Sequence, residues 1–140
     1  MARILAIDYG TRRTGIAVSD PLQLIAGGLA TVETRELERF LAQYIAREDV
    51  SIIVVGKPTK MNGAPSETMR FVLPLVARLH RTSIDVILYD ERFTSVIAHR
   101  AMLDGGLRKM ARRNRALVDK ISATIILEDF MSSQGAEQRR

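Results

Sequence analysis

Residues 3–20 read RILAIDYGTRRTGIAVSD, and this stretch decides the fold. Four apolar residues in succession, Ile4-Leu5-Ala6-Ile7, read as a strand covered on both faces. Residues 9–13, YGTRR, form a turn, and residues 14–20, TGIAVSD, return as a second strand of a hairpin. Asp8 stands at the exit of the first strand, and Gly10 follows it closely. A carboxylate in that position is costly to bury unless it meets a metal or a cation.

Working outward, the chain alternates strands and helices. Residues 23–32 are expected to form a third strand, weakened or bent at Gly27-Gly28. Thr34 is expected to cap a helix over 35–48, where Leu37, Phe40, Leu41, Tyr44 and Ile45 follow the helical period. Residues 51–56 form a short buried strand, followed by a loop with Asn62-Gly63. A helix from Ser66 to His80 carries the stripe Val72, Leu75, Val76 and Leu79, with Pro74 expected to kink it or shift its start. Residues 84–90 make a fifth strand. Thr94 caps a helix to Leu103, and a last helix spans 115–131. The expectation is one α/β domain over 1–131, a mixed five-stranded sheet flanked by helices, with residues 132–140 as a frayed tail.

Composition narrows the function. The 140 residues carry a net charge of +5 and a pI near 10.1, which favours a polyanionic partner. With no cysteine, disulfides and thiolate ligands are excluded, and a cytoplasmic home fits. His80 and His99 lie apart, which argues against a zinc site. There is no apolar run of about 18 residues and no signal-peptide pattern, so no membrane partner is expected.

Two further acids, Glu91 and Asp119, sit like Asp8 at the edge of apolar elements. Three such carboxylates from separate segments suggest a metal-dependent hydrolase. Alternation puts Ile84, Val86, Leu88 and Asp90 on one face of their strand and Asp85, Ile87, Tyr89 and Glu91 on the other, so only one terminal acid can enter a given site. On the last helix Asp119, Ala123, Ile126 and Phe130 share a face. Each acid also has a plainer reading: Asp8 as a turn initiator, Asp119 as a helix-start acid favoured by the dipole. Between Gly105 and Asp119 the chain has Arg108, Lys109, Arg112, Arg113 and Arg115. These are either a solvated helix end or a basic flap gripping phosphates beside the acids.

The motifs resemble the YqgF/RuvX family, the Holliday-junction-resolvase-like proteins also described as pre-16S ribosomal RNA nucleases. The resemblance rests on Asp8-Tyr9-Gly10-Thr11-Arg12-Arg13-Thr14-Gly15-Ile16-Ala17, on Val55-Gly56 with Pro58 and Gly63, on Asp90-Glu91-Arg92-Phe93-Thr94-Ser95, and on Val118-Asp119-Lys120 with Ser122-Ala123 and Ile126-Leu127. Lys57 and Ser122 depart from the pattern without touching a proposed ligand. The resemblance implies a ribonuclease-H-like fold and a nuclease whose Mg²⁺ or Mn²⁺ is held by Asp8, Glu91 and Asp119. It also implies a nucleic-acid partner, with precursor rRNA favoured and branched DNA as the alternative. The protein would act as a monomer or, for a two-fold junction, as a homodimer. Arg13 and Arg92 match basic family positions and read as phosphate contacts or as buttresses for the acids. Other classes are a nucleic-acid-binding module without catalysis, and an actin-like ATP-binding module, whose phosphate hairpin the first motif also resembles.

Overall fold

The computed structural model describes residues 2–57, 67–90 and 115–138. The sequence expectations on Asn62-Gly63 and on the Thr94 helix lie outside these residues. Strands β1 (Arg3–Asp8), β2 (Arg13–Ser19) and β3 (Ala26–Glu33) come first. A single 3₁₀ turn (Thr34–Glu36) then leads into α1 (Leu37–Arg47), followed by β4 (Val50–Lys57), α2 (Met69–Leu79), β5 (Asp85–Asp90) and α3 (Arg115–Gln138). The five strands lie in the order β3-β2-β1-β4-β5. β1 pairs antiparallel with β2 and parallel with β4, and β4 pairs parallel with β5, so the sheet is mixed.

The apolar run of β1 is buried on both faces because helices cover both sides. Leu5 and Ile7 pack with Ile16, Ile53 and Val55 beneath Leu37, Leu41 and Tyr44 of α1 and Val72, Leu75 and Leu79 of α2. Ile4, Ala6, Ala17 and Val54 point the other way, under Ala123, Ile126, Leu127 and Phe130 of α3. The alternation expected for β5 holds: Val86 and Leu88 join the first cluster, while Ile87 and Tyr89 join the second. Tyr89 meets Phe130 edge-on at 5.8 Å between ring centroids.

Several boundaries differ from the sequence reading. Thr34 does not cap α1, which has no side-chain N-cap hydrogen bond. Its hydroxyl instead donates to the Gly10 carbonyl at 2.6 Å, and its amide donates to the Arg12 carbonyl at 2.9 Å. Both groups are therefore committed to the β1–β2 turn. Since the Thr34 hydroxyl proton goes to Gly10, the 2.9 Å contact between the Thr14 and Thr34 hydroxyls has Thr14 as donor. Helix α2 begins at Met69 rather than Ser66 and keeps Pro74 inside it on an exposed face. The bond Pro74 cannot make would end on the carbonyl of Arg70, also an exposed residue, where water can replace it. Helix α3 continues past Met131 to Gln138, with the Ser133 hydroxyl donating back to the Phe130 carbonyl at 2.8 Å. In β3 the register with β2 shifts between Ile16 and Ala17, so the irregularity falls beside Gly28, where bending was expected. Among the described residues, no helix is long and apolar enough to cross a membrane.

The contrast between the two kinds of helical leucine and isoleucine is testable by urea denaturation. Ile126→Ala empties a fully buried site under the sheet and should cost about 2–5 kcal/mol. Leu73→Ala removes a side chain that is 54% exposed on α2 and should stay within about 0.5 kcal/mol of the parent.

Candidate active site

Asp8 continues the parity of Ile4 and Ala6, so it belongs to the sheet face that α3 covers. It is buried, with 6% of its surface exposed. Across the antiparallel ladder Asp8 stands opposite Gly15, and opposed residues share a face. Gly15 is where the helix touches down. A Cβ built on it would lie 2.0 Å from the backbone oxygen of Asp119 and 2.4 Å from its carbonyl carbon. No side chain fits there, so only glycine lets α3 approach this closely. The backbone of Asp119 thus rests on the residue that pairs with Asp8. Two carboxylates far apart in sequence are brought to the same end of the same face.

Arg13 completes the described part of the site. Two positions from Gly15 on the same strand face, its Nε donates to Asp119 Oδ2 at 3.1 Å. The pair is partly exposed, so its worth to stability is small, about 0–1 kcal/mol. Its consequence is orientation: the guanidinium fixes the Asp119 carboxylate and lowers the local negative charge. The contact the structure shows for Arg13 is this ion pair with Asp119. The turn that carries it is tight. A Cβ at Gly10 would lie 2.3 Å from the Arg13 carbonyl oxygen.

Of the residues singled out from sequence, Asp8, Arg13 and Asp119 come together. Arg115 opens α3. Glu91, Arg92, Arg108, Lys109, Arg112 and Arg113 lie outside the described residues. Among the described residues, no group of three His, Cys, Asp or Glu side chains forms a metal cage. Sequence reasoning quoted Gly15 only as part of a motif and assigned it no role, although a lone glycine inside a strand signals close backbone approach. It also passed over the cleft of about 600 Å³ beside the ion pair, lined by Thr11, Arg12, Arg13, Glu33 and Arg35.

The comparisons with known proteins identify the family. Residues 2–133 match the RuvX family, described as Holliday junction resolvase. The chain belongs to the RuvX family. Its mixed sheet with helices on both faces is the ribonuclease-H-like arrangement of RuvX proteins. A relative from Phocaeicola vulgatus, named as a candidate pre-16S rRNA nuclease, is 55% identical over 136 residues, covering 96% of this chain and 98% of its own. Relatives with the same name from Parabacteroides distasonis and Flavobacterium johnsoniae are 54% and 49% identical. Both cover 96% of this chain, with 97% and 99% of their own lengths matched.

The touchdown of α3 makes a prediction about two glycines. Gly15→Ala must push the start of α3 off the sheet and should cost about 1–3 kcal/mol or more in thermal or urea unfolding. Gly27→Ala meets nothing within 4 Å and should leave stability at or slightly above that of the parent. Equal losses at both positions would refute the close-approach account of Gly15.

Proposed function

We propose that this RuvX-family chain is a divalent-metal-dependent nuclease that processes the 5′ end of precursor 16S rRNA in the cytoplasm. The observation that carries the reading is the convergence of Asp8 and Asp119 on one sheet face, through the contact of Gly15 with the start of α3. The names of relatives at about half identity or better supply the substrate.

The donor set fits a hard cation. Asp8 and Asp119 offer carboxylate oxygens on rigid elements, which suits Mg²⁺ or Mn²⁺. The Arg13 guanidinium against Asp119 is a sign that this end of the sheet accommodates positive charge. Asp8, Asp119 and Glu91 would hold the metal. Glu91 is included because strand alternation in the sequence groups it with Ile87 and Tyr89. When bound, the metal supplies Lewis-acid polarisation of the phosphate and a water of lowered pKa. The chain's own groups do the rest. The buried Asp8 carboxylate fixes one side of the site, and Arg13 holds Asp119 in place. The stacking of α3 on Gly15 sets the spacing between the two acids. Water then adds to phosphorus as one P–O ester bond breaks, and the basic residues 108–115 hold the neighbouring backbone.

The family description favours a second reading, cleavage of a four-way DNA junction. Parallel assays on a precursor rRNA end and on such a junction, in Mg²⁺ and in Mn²⁺, separate the two.

Asp8→Asn, Glu91→Gln and Asp119→Asn each remove a charge with little change of volume. Each should lose nearly all cleavage and remain folded by circular dichroism. Mg²⁺ or Mn²⁺ without any nucleotide should raise the melting temperature of the parent, and Asp119→Asn should abolish most of that rise. Near-native turnover in two of the three variants at saturating metal would overturn the assignment. A melting shift appearing only with ATP would point to the actin-like class instead.

A further inference from the structure

We propose that the cleft lined by Thr11, Arg12, Arg13, Glu33 and Arg35 is a second phosphate-binding subsite, which receives the nucleic-acid backbone next to the acids and is gated by Glu33. The inference rests on the nuclease reading above and adds to it where the strand runs.

The cleft adjoins the acidic site at Arg13, which lines the cleft and pairs with Asp119. Arg13 and Glu33 are register partners across β2 and β3, so the cleft opens at the same end of the sheet as the acids. Its volume, about 600 Å³, is ample for a phosphate and its sugars. Three of the five lining residues are arginines, against one acid.

The backbone segments that carry Arg12 and Arg35 are also tied together. Thr34 binds the β1–β2 turn at two points, through its hydroxyl to Gly10 and its amide to Arg12. Arg35 is the next residue. Arg12 and Arg35 therefore sit on two segments stapled together by Thr34, which spares the cost of ordering their backbones on binding. A backbone phosphate between them would meet two planar donor forks suited to bidentate binding.

Glu33 supplies the gate. Its Oε2 accepts from Arg35 Nε at 2.7 Å, and both side chains are well exposed. Such a surface pair is weak and opens easily to a competing phosphate. While closed, it occupies one arginine of the subsite and repels an incoming polyanion. The carboxylate thus weakens non-productive binding, and a phosphate that enters displaces it from Arg35.

The test measures binding of labelled single-stranded RNA and DNA by fluorescence anisotropy at several salt concentrations. All variants are made in an Asp8→Asn background so that cleavage does not interfere. Arg12→Ala with Arg35→Ala should flatten the slope of log affinity against log salt by about 1.4, the loss of two single-strand phosphate contacts. At 0.1 M salt, affinity should fall about 25-fold for both RNA and DNA. The double lysine replacement should keep most of the slope. Glu33→Gln should act in the opposite direction, tightening binding by about threefold. Melting temperatures of these surface variants should stay close to that of the background. An unchanged slope in the double alanine variant, or weaker binding in Glu33→Gln, would overturn the subsite. If the parent neither binds nor cleaves nucleic acid, the nuclease reading fails. Cleavage by the parent together with an unchanged slope in the double alanine variant removes the subsite alone.

Discussion

The contact between Gly15 and the backbone of Asp119 is the constraint on which the rest depends. A helix lying across a sheet normally rides on a layer of side chains. Here the layer is missing at one point, and the start of α3 drops onto the strand. Gly28 repeats the device one strand further out, where a Cβ would lie 3.3 Å from the Lys120 side chain. The Thr31 hydroxyl then donates to the Ala116 carbonyl, tying the first turn of the helix to β3. With its first turn fixed at these places, α3 sends Ala123, Ile126, Leu127 and Phe130 down the length of the second core. Packing and site are set by the same approach. Raising the helix by one methyl group would loosen the core and separate Asp119 from Asp8.

Much of this was legible in the chain. The doubly covered β1, the hairpin, the alternation in β5 and the four-three-four spacing from Asp119 to Phe130 are all periodicities, and periodicity survives translation into structure because burial enforces it. The facing of Asp8 follows from parity with Ile4 and Ala6. The misreadings have a different origin. Thr34 has the side chain of a helix cap, but its hydroxyl and amide serve the turn at 10–12, a partner more than twenty residues away that no local pattern announces. α2 begins at Met69 with no side-chain cap hydrogen bond, and α3 runs on through Gly135, so neither end follows a local signal. The cleft around Arg12 and Arg35 joins residues from two turns, brought together by the register of β2 on β3 and by the bonds of Thr34 to Gly10 and Arg12.

Fold alone does not choose among the functional classes, because one scaffold can carry several chemistries. The discriminating feature is the set of charges at one end of the sheet. A strongly basic chain gathers acids at the exit of its central strand, beneath its last helix. Like charges gathered at one end of a sheet repel one another. The arrangement becomes intelligible if the acids share a cation, and Arg13 already supplies one beside Asp119.

A polyanionic substrate makes the problem sharper, since its phosphates must approach carboxylates that repel them. Net charge of +5 cannot resolve this by itself, because screening confines each charge to about 10 Å at ordinary salt. What matters is how close the cations stand to the acids. Arg13 sits within the site, with Arg12 and Arg35 on the next turn outward. The basic residues 108–115 precede Asp119 in the chain. Each phosphate along the strand could then meet a cation on the way to the acids, and the repulsion would be confined to the single phosphate that reacts. A carboxylate offers about four lone-pair positions, so the bond from Arg13 need not compete with other ligands of Asp119. On this view Arg13 is neither simply a substrate contact nor simply a buttress. Its guanidinium pairs with Asp119 on one side and lines the cleft of Arg12 and Arg35 on the other, so the acidic and the basic surroundings meet at one residue.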